Sequence, residues 1–336
     1  MTAAAKLPQS AADDCVLGLD VGGTSTRVVA IDLAGNRLAT GHSGGGNPVS
    51  HGAANSVRNV SDAIAQVLVS VAPERVRAVV MGIAGITNMR NDAGEPMFDP
   101  VWREAGLTCP VRLVADAVVA FAAGTAEPSG TVLIAGTGAI ATAIDKHRLA
   151  GRRSDGYGWL LGDLGSGFWL GREAVSATLR HLDNIGPGGP MVDSVVKAIT
   201  SGTETPAINR IIQEVMAVEP VRLSRFAPLV TQAANDGDPV AEGLISEAAG
   251  HLVRSIELIH IDPAQPVVLA GSLASGDTPV SRRVRAALSA RQPDLLVHKA
   301  TDGAAGAAWL AAAMVMTDAD RLRDLHSVFL PAEAQS

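Results

Sequence analysis

Aromatic side chains are scarce in this 336-residue sequence: five phenylalanines, four tryptophans and one tyrosine. A core must therefore come from Ala, Val, Leu and Ile, and a hydrophobic content of 47% supplies enough of them. Cysteine is scarcer still. Cys15 and Cys109 cannot make a disulfide framework or a cysteine-rich zinc site, and this usage fits a reducing cytoplasm. Positive charge is in deficit, with 27 Lys and Arg against 34 Asp and Glu. The net charge of −7 argues against a nucleic-acid backbone or an anionic membrane surface as the main partner. A phosphorylated ligand stays compatible, because backbone N–H groups hold anions without a basic protein. Long apolar runs are also missing. The longest stretch free of charged or polar side chains, Ala304–Met316, is shorter than the roughly 20 residues that span a bilayer. Residues 1–14, MTAAAKLPQSAADD, lack a signal peptide's apolar stretch and read as a disordered lead. These absences describe a soluble cytoplasmic chain.

Glycine, by contrast, is plentiful at 35 residues, and it must be housed in turns or in close backbone approaches. Val16–Leu19, Arg27–Leu33 and Arg37–Gly41 read as three strands joined by turns at Gly22-Gly23-Thr24 and Gly35-Asn36. Gly52–Val71 carries Val57, Val60, Ile64, Val67, Leu68 and Val71 on one helical face. Strands follow at Val76–Gly82 and Val111–Ala115. The pattern then restarts: Thr131–Ala135, Ala139–Asp145 and a weaker run near His147–Ala150 form a second cluster, with Gly136-Thr137-Gly138 in its first turn. Helical segments run from Asp163 to about Ile261, strands return at Pro266–Ala270 and Leu295–His298, and an Ala-rich helix begins near Asp302. Each half reads β-β-β-α-β-α-β-α, a duplicated α/β design with a partly parallel sheet. Glycine loops at strand ends in both halves make a cleft between two domains the natural site.

The first loop, Leu17–Val29 (LGLDVGGTSTRVV), places Asp20 at a strand end before two glycines and hydroxyl residues. Such a loop suits a polyphosphate with its metal: glycines let N–H groups reach phosphate oxygens, and a carboxylate faces Mg²⁺. A plain glycine hairpin would look the same. Gly136-Thr137-Gly138 is the matching element, and Leu269–Leu273 (LAGSL) runs from a strand through a glycine turn into a helix, a context suited to a nucleoside.

LGLDVGGTSTRVV, VADA at Val114–Ala117, IAGTGAIATA at Ile134–Ala143, GYGWLLGDLGSGFWLG at Gly156–Gly171 and VLAGSLASG at Val268–Gly276 occur in that order. They resemble the phosphate, connect and adenosine motifs of the actin/hexokinase/Hsp70 ATPase superfamily. Within it the chain resembles the BadF/BadG/BcrA/BcrD-type ATPase family, N-acetylglucosamine kinase branch, over about residues 15–315. The resemblance implies two RNase H-like (actin-like ATPase) domains, at 15–116 and at 117–316 with a helical insert, and a tail at 317–336. It implies ATP-dependent, Mg²⁺-assisted phosphorylation of the 6-hydroxyl of an amino sugar, N-acetylglucosamine or glucosamine, by a homodimer.

Carried over motif by motif, the resemblance assigns Asp116 as the base that takes the hydroxyl proton, although an Asp there also suits the start of a helix. Asn47, Gly156, Tyr157, Gly158 and Asp163 match sugar contacts. Gly22, Gly23, Thr24, Gly136, Thr137 and Gly138 match phosphate contacts, Ala234, Gly271 and Ser272 match the adenosine end, and Asp20 matches the Mg²⁺ position, reached through water. Leu164 stands where the family commonly has Glu, which bears on the choice of sugar. Four of the ten aromatics fall in Tyr157–Trp169, as a sugar platform or as packing for the next helix. The resemblance also implies closure about a hinge near Asp116–Gly124 and the helix from Asp302. Two other outcomes of the scaffold are an ATPase activator, which needs cysteines for an iron–sulfur cluster, and a catalytically silent sugar sensor.

Overall fold

The apolar run from Cys15 forms β1 (Cys15–Val21), and a short glycine loop returns the chain as the antiparallel β2 (Ser25–Asp32), with Val21 opposite Thr26. At the next turn the Asp32 carboxylate accepts the N–H groups of Ala34 and Asn36, which fixes the hairpin into β3 (Arg37–Gly44). The computed structural model describes residues 14–85, 96–200 and 208–331, so of the expected lead at 1–14 only Asp14 is described, where it pairs with Arg77, and the rest lies outside the described residues.

After α1 (Pro48–His51), α2 (Ala53–Leu68) buries Val60, Ala63, Ile64 and Val67 on one face, as the spacing predicts. Each fully buried Val or Ile contributes about 1.5–3 kcal/mol relative to exposure, which outweighs helix propensity in fixing the segment. Then come β4 (Val76–Ile83), α3 (Asp99–Glu104), β5 (Val111–Ala115) and α4 (Asp116–Ala122). The sheet order is β3-β2-β1-β4-β5, with β1, β4 and β5 parallel.

The chain then repeats the design. β6 (Gly130–Ala135) and β7 (Ala139–Asp145) form a hairpin around residues 136–138, and β8 (Arg148–Asp155) completes the meander. Five helices follow: α5 (Gly167–Leu182), α6 (Pro190–Thr200), α7 (Ile208–Met216), α8 (Ala227–Asn235) and α9 (Pro239–Glu257), with a 3₁₀ segment at Pro220–Phe226 before α8. β9 (Val267–Ala270), α10 (Ser272–Ser275), α11 (Pro279–Arg291) and β10 (Val297–Lys299) finish this part. Its sheet order, β10-β9-β6-β7-β8, matches the first sheet strand for strand when β6 is aligned with β1. Phe168 and Trp169 are buried in its core, so of the four clustered aromatics only Tyr157 and Trp159 are exposed.

The chain ends in α12 (Gly303–Ala312) and α13 (Ala319–Phe329). The Ala-rich α12 is apolar all round and buried, packing on β1, β2, β4 and α4. No described helix is long and apolar enough to cross a membrane. By contacts the chain divides into Met1–Pro128, Lys146–Leu149 and Ala300–Ser336 as one unit, and Ser129–Asp145 with Ala150–Lys299 as the other. This differs from the boundary expected at 116–117: α4, α12 and α13 belong to the first unit. A division by position along the chain misses this, because a segment distant in sequence supplies the helix that covers β1.

That close packing depends on Gly18, where an added Cβ would strike the backbone of Ala304 and Ala308. Gly18→Ala is expected to cost about 2 kcal/mol as an overpacking change that a backbone contact cannot relieve. Thermal unfolding checks it; a melting temperature equal to that of the wild type would refute the close approach of α12 to β1.

Candidate active site

In the first unit the carboxyl ends of the parallel strands gather two acids. Asp20 lies near the end of β1, in register with Gly82 of β4, and Asp116 follows β5, whose Ala115 pairs with Ile83 of β4. The N-cap of α4 is Ala115, with no side-chain capping bond, so Asp116 opens the first turn rather than capping the helix; its carboxylate accepts the Ala117 N–H at 2.9 Å. Asp116 is partly buried, and burial raises its carboxyl above the ordinary range. The Ala117 N–H opposes this rise, and the Asp20 charge adds to it. Asp20 itself pairs through Oδ2 with Arg27 at 2.6 Å.

The loop residues Gly22, Gly23 and Thr24 sit at this same end of β1, with Gly23 and Thr24 exposed. The Gly22 carbonyl accepts the N–H groups of Gly46 (3.0 Å) and Asn47 (3.2 Å), and His51 Nε2 donates to the Gly23 carbonyl at 2.5 Å. The structure therefore joins the phosphate-type loop to the loop of Asn47. The Asn47 side chain caps α1 by accepting the Val49 N–H, so the residue has a local structural role as well.

In the second unit, the turn at Gly136, Thr137 and Gly138 is braced onto the start of α5: Gly167 and Phe168 donate to the carbonyls of Gly136 and Thr137 at 2.7 and 3.0 Å. Gly271, at φ +79°, lets the chain pass so near β6 that a Cβ would meet the Ala135 carbonyl, and Ser272 then opens α10. A cavity of about 480 Å³ has Gly136, Thr137 and Ser272 in its wall. Ala234 lies on α8 packed against the core cluster and is not part of that wall.

The segment with Gly156, Tyr157, Gly158 and Asp163 is organised by a residue that sequence reading passed over. Asp155 is buried, and its carboxylate accepts three backbone N–H groups: Gly156 at 2.8 Å, Asp163 at 2.6 Å and Leu164 at 2.8 Å. Asp155 and Asp163 both hold left-handed backbone, φ +65° and +57°, which non-glycine residues seldom adopt. Tyr157 and Leu164 stay exposed around this latch, and the Arg153 guanidinium lies 5.6 Å from the Tyr157 ring centre. The Asp163 carboxylate accepts the Ala139 N–H at 3.3 Å, beside the glycine turn. Burial raises the Asp163 carboxyl above the ordinary range; that N–H opposes the rise and the Asp155 charge adds to it. Asp155's only trace in the sequence is its place just before a glycine pair, Gly156 and Gly158.

No described group of three or more His, Cys, Asp or Glu residues could hold a metal ion. Mg²⁺ is commonly held by one or two carboxylates together with substrate phosphates and water, and Asp20 is a carboxylate of that kind. The cysteines are poor ligands: Cys15 is buried in β1 and its thiol is pushed up to about 11 by burial.

Solved structures share this architecture. A candidate N-acetylglucosamine kinase from Chromobacterium violaceum superposes with a TM-score of 0.69 at 24% identity, covering 89% of this chain and 99% of that one. A ROK family glucokinase from Streptomyces griseus, solved with glucose and AMPPNP, gives 0.57 at 21% identity over 88% and 99%. The fold is thus that of the actin-like ATPases, two α/β units with five-stranded mixed sheets. The model of the BadF/BadG/BcrA/BcrD ATPase family matches residues 17–311, and the chain belongs to that family. Similar sequences include an N-acetyl-D-glucosamine kinase of Dictyostelium discoideum, 26% identical over 258 residues (72% of this chain, 78% of the relative). A glucosamine kinase of Vibrio cholerae is 26% identical over 262 residues, 77% of this chain and 84% of that one. Within this family, the sugar-kinase relatives indicate a phosphotransferase with an alcohol group as acceptor.

Proposed function

We propose that the protein transfers the terminal phosphoryl group of ATP to the 6-hydroxyl of an amino sugar, N-acetylglucosamine or glucosamine. The observation that carries the reading is Asp116: an acid at the carboxyl end of a parallel strand, held above the ordinary carboxylate range, outside any capping role. Such a group can receive the proton of a substrate hydroxyl. Asn47 and the latched segment Gly156–Asp163 would orient the sugar. The turns at Gly22–Thr24 and Gly136–Gly138, with Gly271 and Ser272, would hold the nucleotide. Asp20 would face Mg²⁺ through water, and the ion when bound would neutralise charge on the phosphates. The named activities of the relatives support an amino sugar as the class of acceptor. The buried Cys15, inside a strand, disfavours the cluster-bearing activator.

A coupled ADP-release assay with N-acetylglucosamine, glucosamine, N-acetylmuramate, N-acetylmannosamine and glucose tests this. We expect turnover with at least one of the first two to exceed that with glucose. Basal ATP hydrolysis that no sugar stimulates would overturn the reading and favour an activator. The exposed Leu164, next to Asp163, is the position at which we expect the choice within the panel to be set.

A further inference from the structure

One cavity of the second unit carries charge of a single sign. Its wall runs from Gly136-Thr137 past Gly167 at the start of α5 to the 3₁₀ segment before α8, and on to Ser272. Arg222 and Arg225 are the charged residues of its lining; no aspartate or glutamate contributes. That is a locally positive pocket in a chain whose net charge is −7. Neither arginine side chain takes part in an ion pair among the described residues, and both are exposed. Among the described residues Arg225 makes a ring contact, its guanidinium 4.8 Å from the centre of Phe226. The amino-terminal ends of α5 and α8 reach the same space, and helix starts favour negative charge. At about 480 Å³ the cavity falls in the range of small-molecule sites.

We infer that Arg222 and Arg225 bind the phosphate groups of the nucleoside triphosphate. The inference rests on the ATP-dependent reading above and adds two residues that no glycine motif marks. Arginine is well matched to phosphate, since its planar fork meets phosphate oxygens in pairs and it keeps its charge throughout the working pH range. The glycine turn would then supply close backbone approach, and the two guanidinium groups the countercharge.

The test is calorimetric titration of the full-length protein with ATP, ADP and adenosine, for the wild type, Arg222→Ala, Arg225→Ala and the double variant. Arg225→Met keeps packing on Phe226 while removing the charge. The expected result is an ATP Kd about tenfold weaker for each single variant and weaker again for the double, since exposed charge-assisted bonds sit at the low end of their range. ADP should follow ATP, and the adenosine Kd and the sugar KM should stay as in the wild type. Added salt should narrow the gap between wild type and variants. Equal weakening of adenosine would mean that the arginines stack on the base, and would overturn the phosphate assignment. Unchanged ATP binding in the double variant would overturn the role of the arginines and leave the kinase reading standing. A wild-type protein that binds no ATP would overturn both.

Discussion

Asp116→Asn is expected to lower kcat by about 10²–10⁴-fold, the usual contribution of a positioned general base, while ATP and the sugar still bind. Asparagine keeps the shape and can still accept the Ala117 N–H, but it cannot take a proton from a hydroxyl. The pH dependence sharpens the prediction. Burial raises the Asp116 carboxyl in the folded protein, and the ionised form is the active base. Wild-type kcat/KM should therefore rise with pH through an apparent pKa above that of an ordinary aspartate, and Asp116→Asn should lose that limb. Stability should move the other way. A carboxyl raised by folding holds its proton to higher pH than the unfolded chain does, so the folded state loses stability as pH rises between the unfolded and folded pKa values. Near neutrality Asp116→Asn should consequently melt at the same temperature as the wild type or higher. A variant that turns over at the wild-type rate would remove Asp116 from the chemistry, and one that loses activity by unfolding would show it as a lower melting temperature.

The second large effect is expected at Asp155. Its carboxylate gathers three N–H groups from a segment that turns through left-handed backbone at Asp155 and Asp163. Asp155→Ala removes every acceptor at once. Losing its partner costs a buried donor about 1–3 kcal/mol and a donor that water reaches less; with Gly156 and Asp163 half-buried and Leu164 exposed, a total of about 3 kcal/mol is expected. Kinetically, the sugar KM should rise at least about tenfold with the ATP KM unchanged, because the loosened residues are those assigned to the sugar. Two further variants separate causes. Asp155→Gly relieves the left-handed backbone but loses the latch; Asp155→Asn tolerates that backbone yet cannot accept at both positions. If all three lose stability while the sugar KM stays at the wild-type value, Asp155 is a fold residue and does not position substrate.

How far the sequence could be read depends on the range of the interaction. β5 falls at Val111–Ala115 as read, and β7 at Ala139–Asp145, because apolar runs between turn residues report a local backbone preference. The face of α2 was equally legible, through Val60, Ile64 and Val67. The glycine turns at 22–24 and 136–138 fall between strands as expected. Less local features escaped. Asp155 carries no motif, and its role exists only once Asp163 and Leu164, eight and nine residues onward, fold back over it. Arg222 and Arg225 lie about 85 residues from the glycine turn whose cavity they share, at a distance no sequence window spans. Phe168 and Trp169, which the sequence left open between platform and helix packing, go to the core, since a helix start at Ser166 turns them inward.

The sequence by itself determined the class of chain, an α/β protein with a duplicated strand pattern and glycine loops at matching places in the two halves. Those properties follow from side-chain periodicity and turn chemistry, which act over a few residues. The tertiary structure alone decided that α12 closes over β1 of the first unit, and that Gly18 must lack a Cβ to permit it. It alone decided that one buried carboxylate holds the segment assigned to the sugar, and that two unpaired arginines line a cavity in an acidic protein. Each of these brings together groups far apart in the chain. Packing and desolvation create such juxtapositions, and neither is encoded in any short stretch of residues.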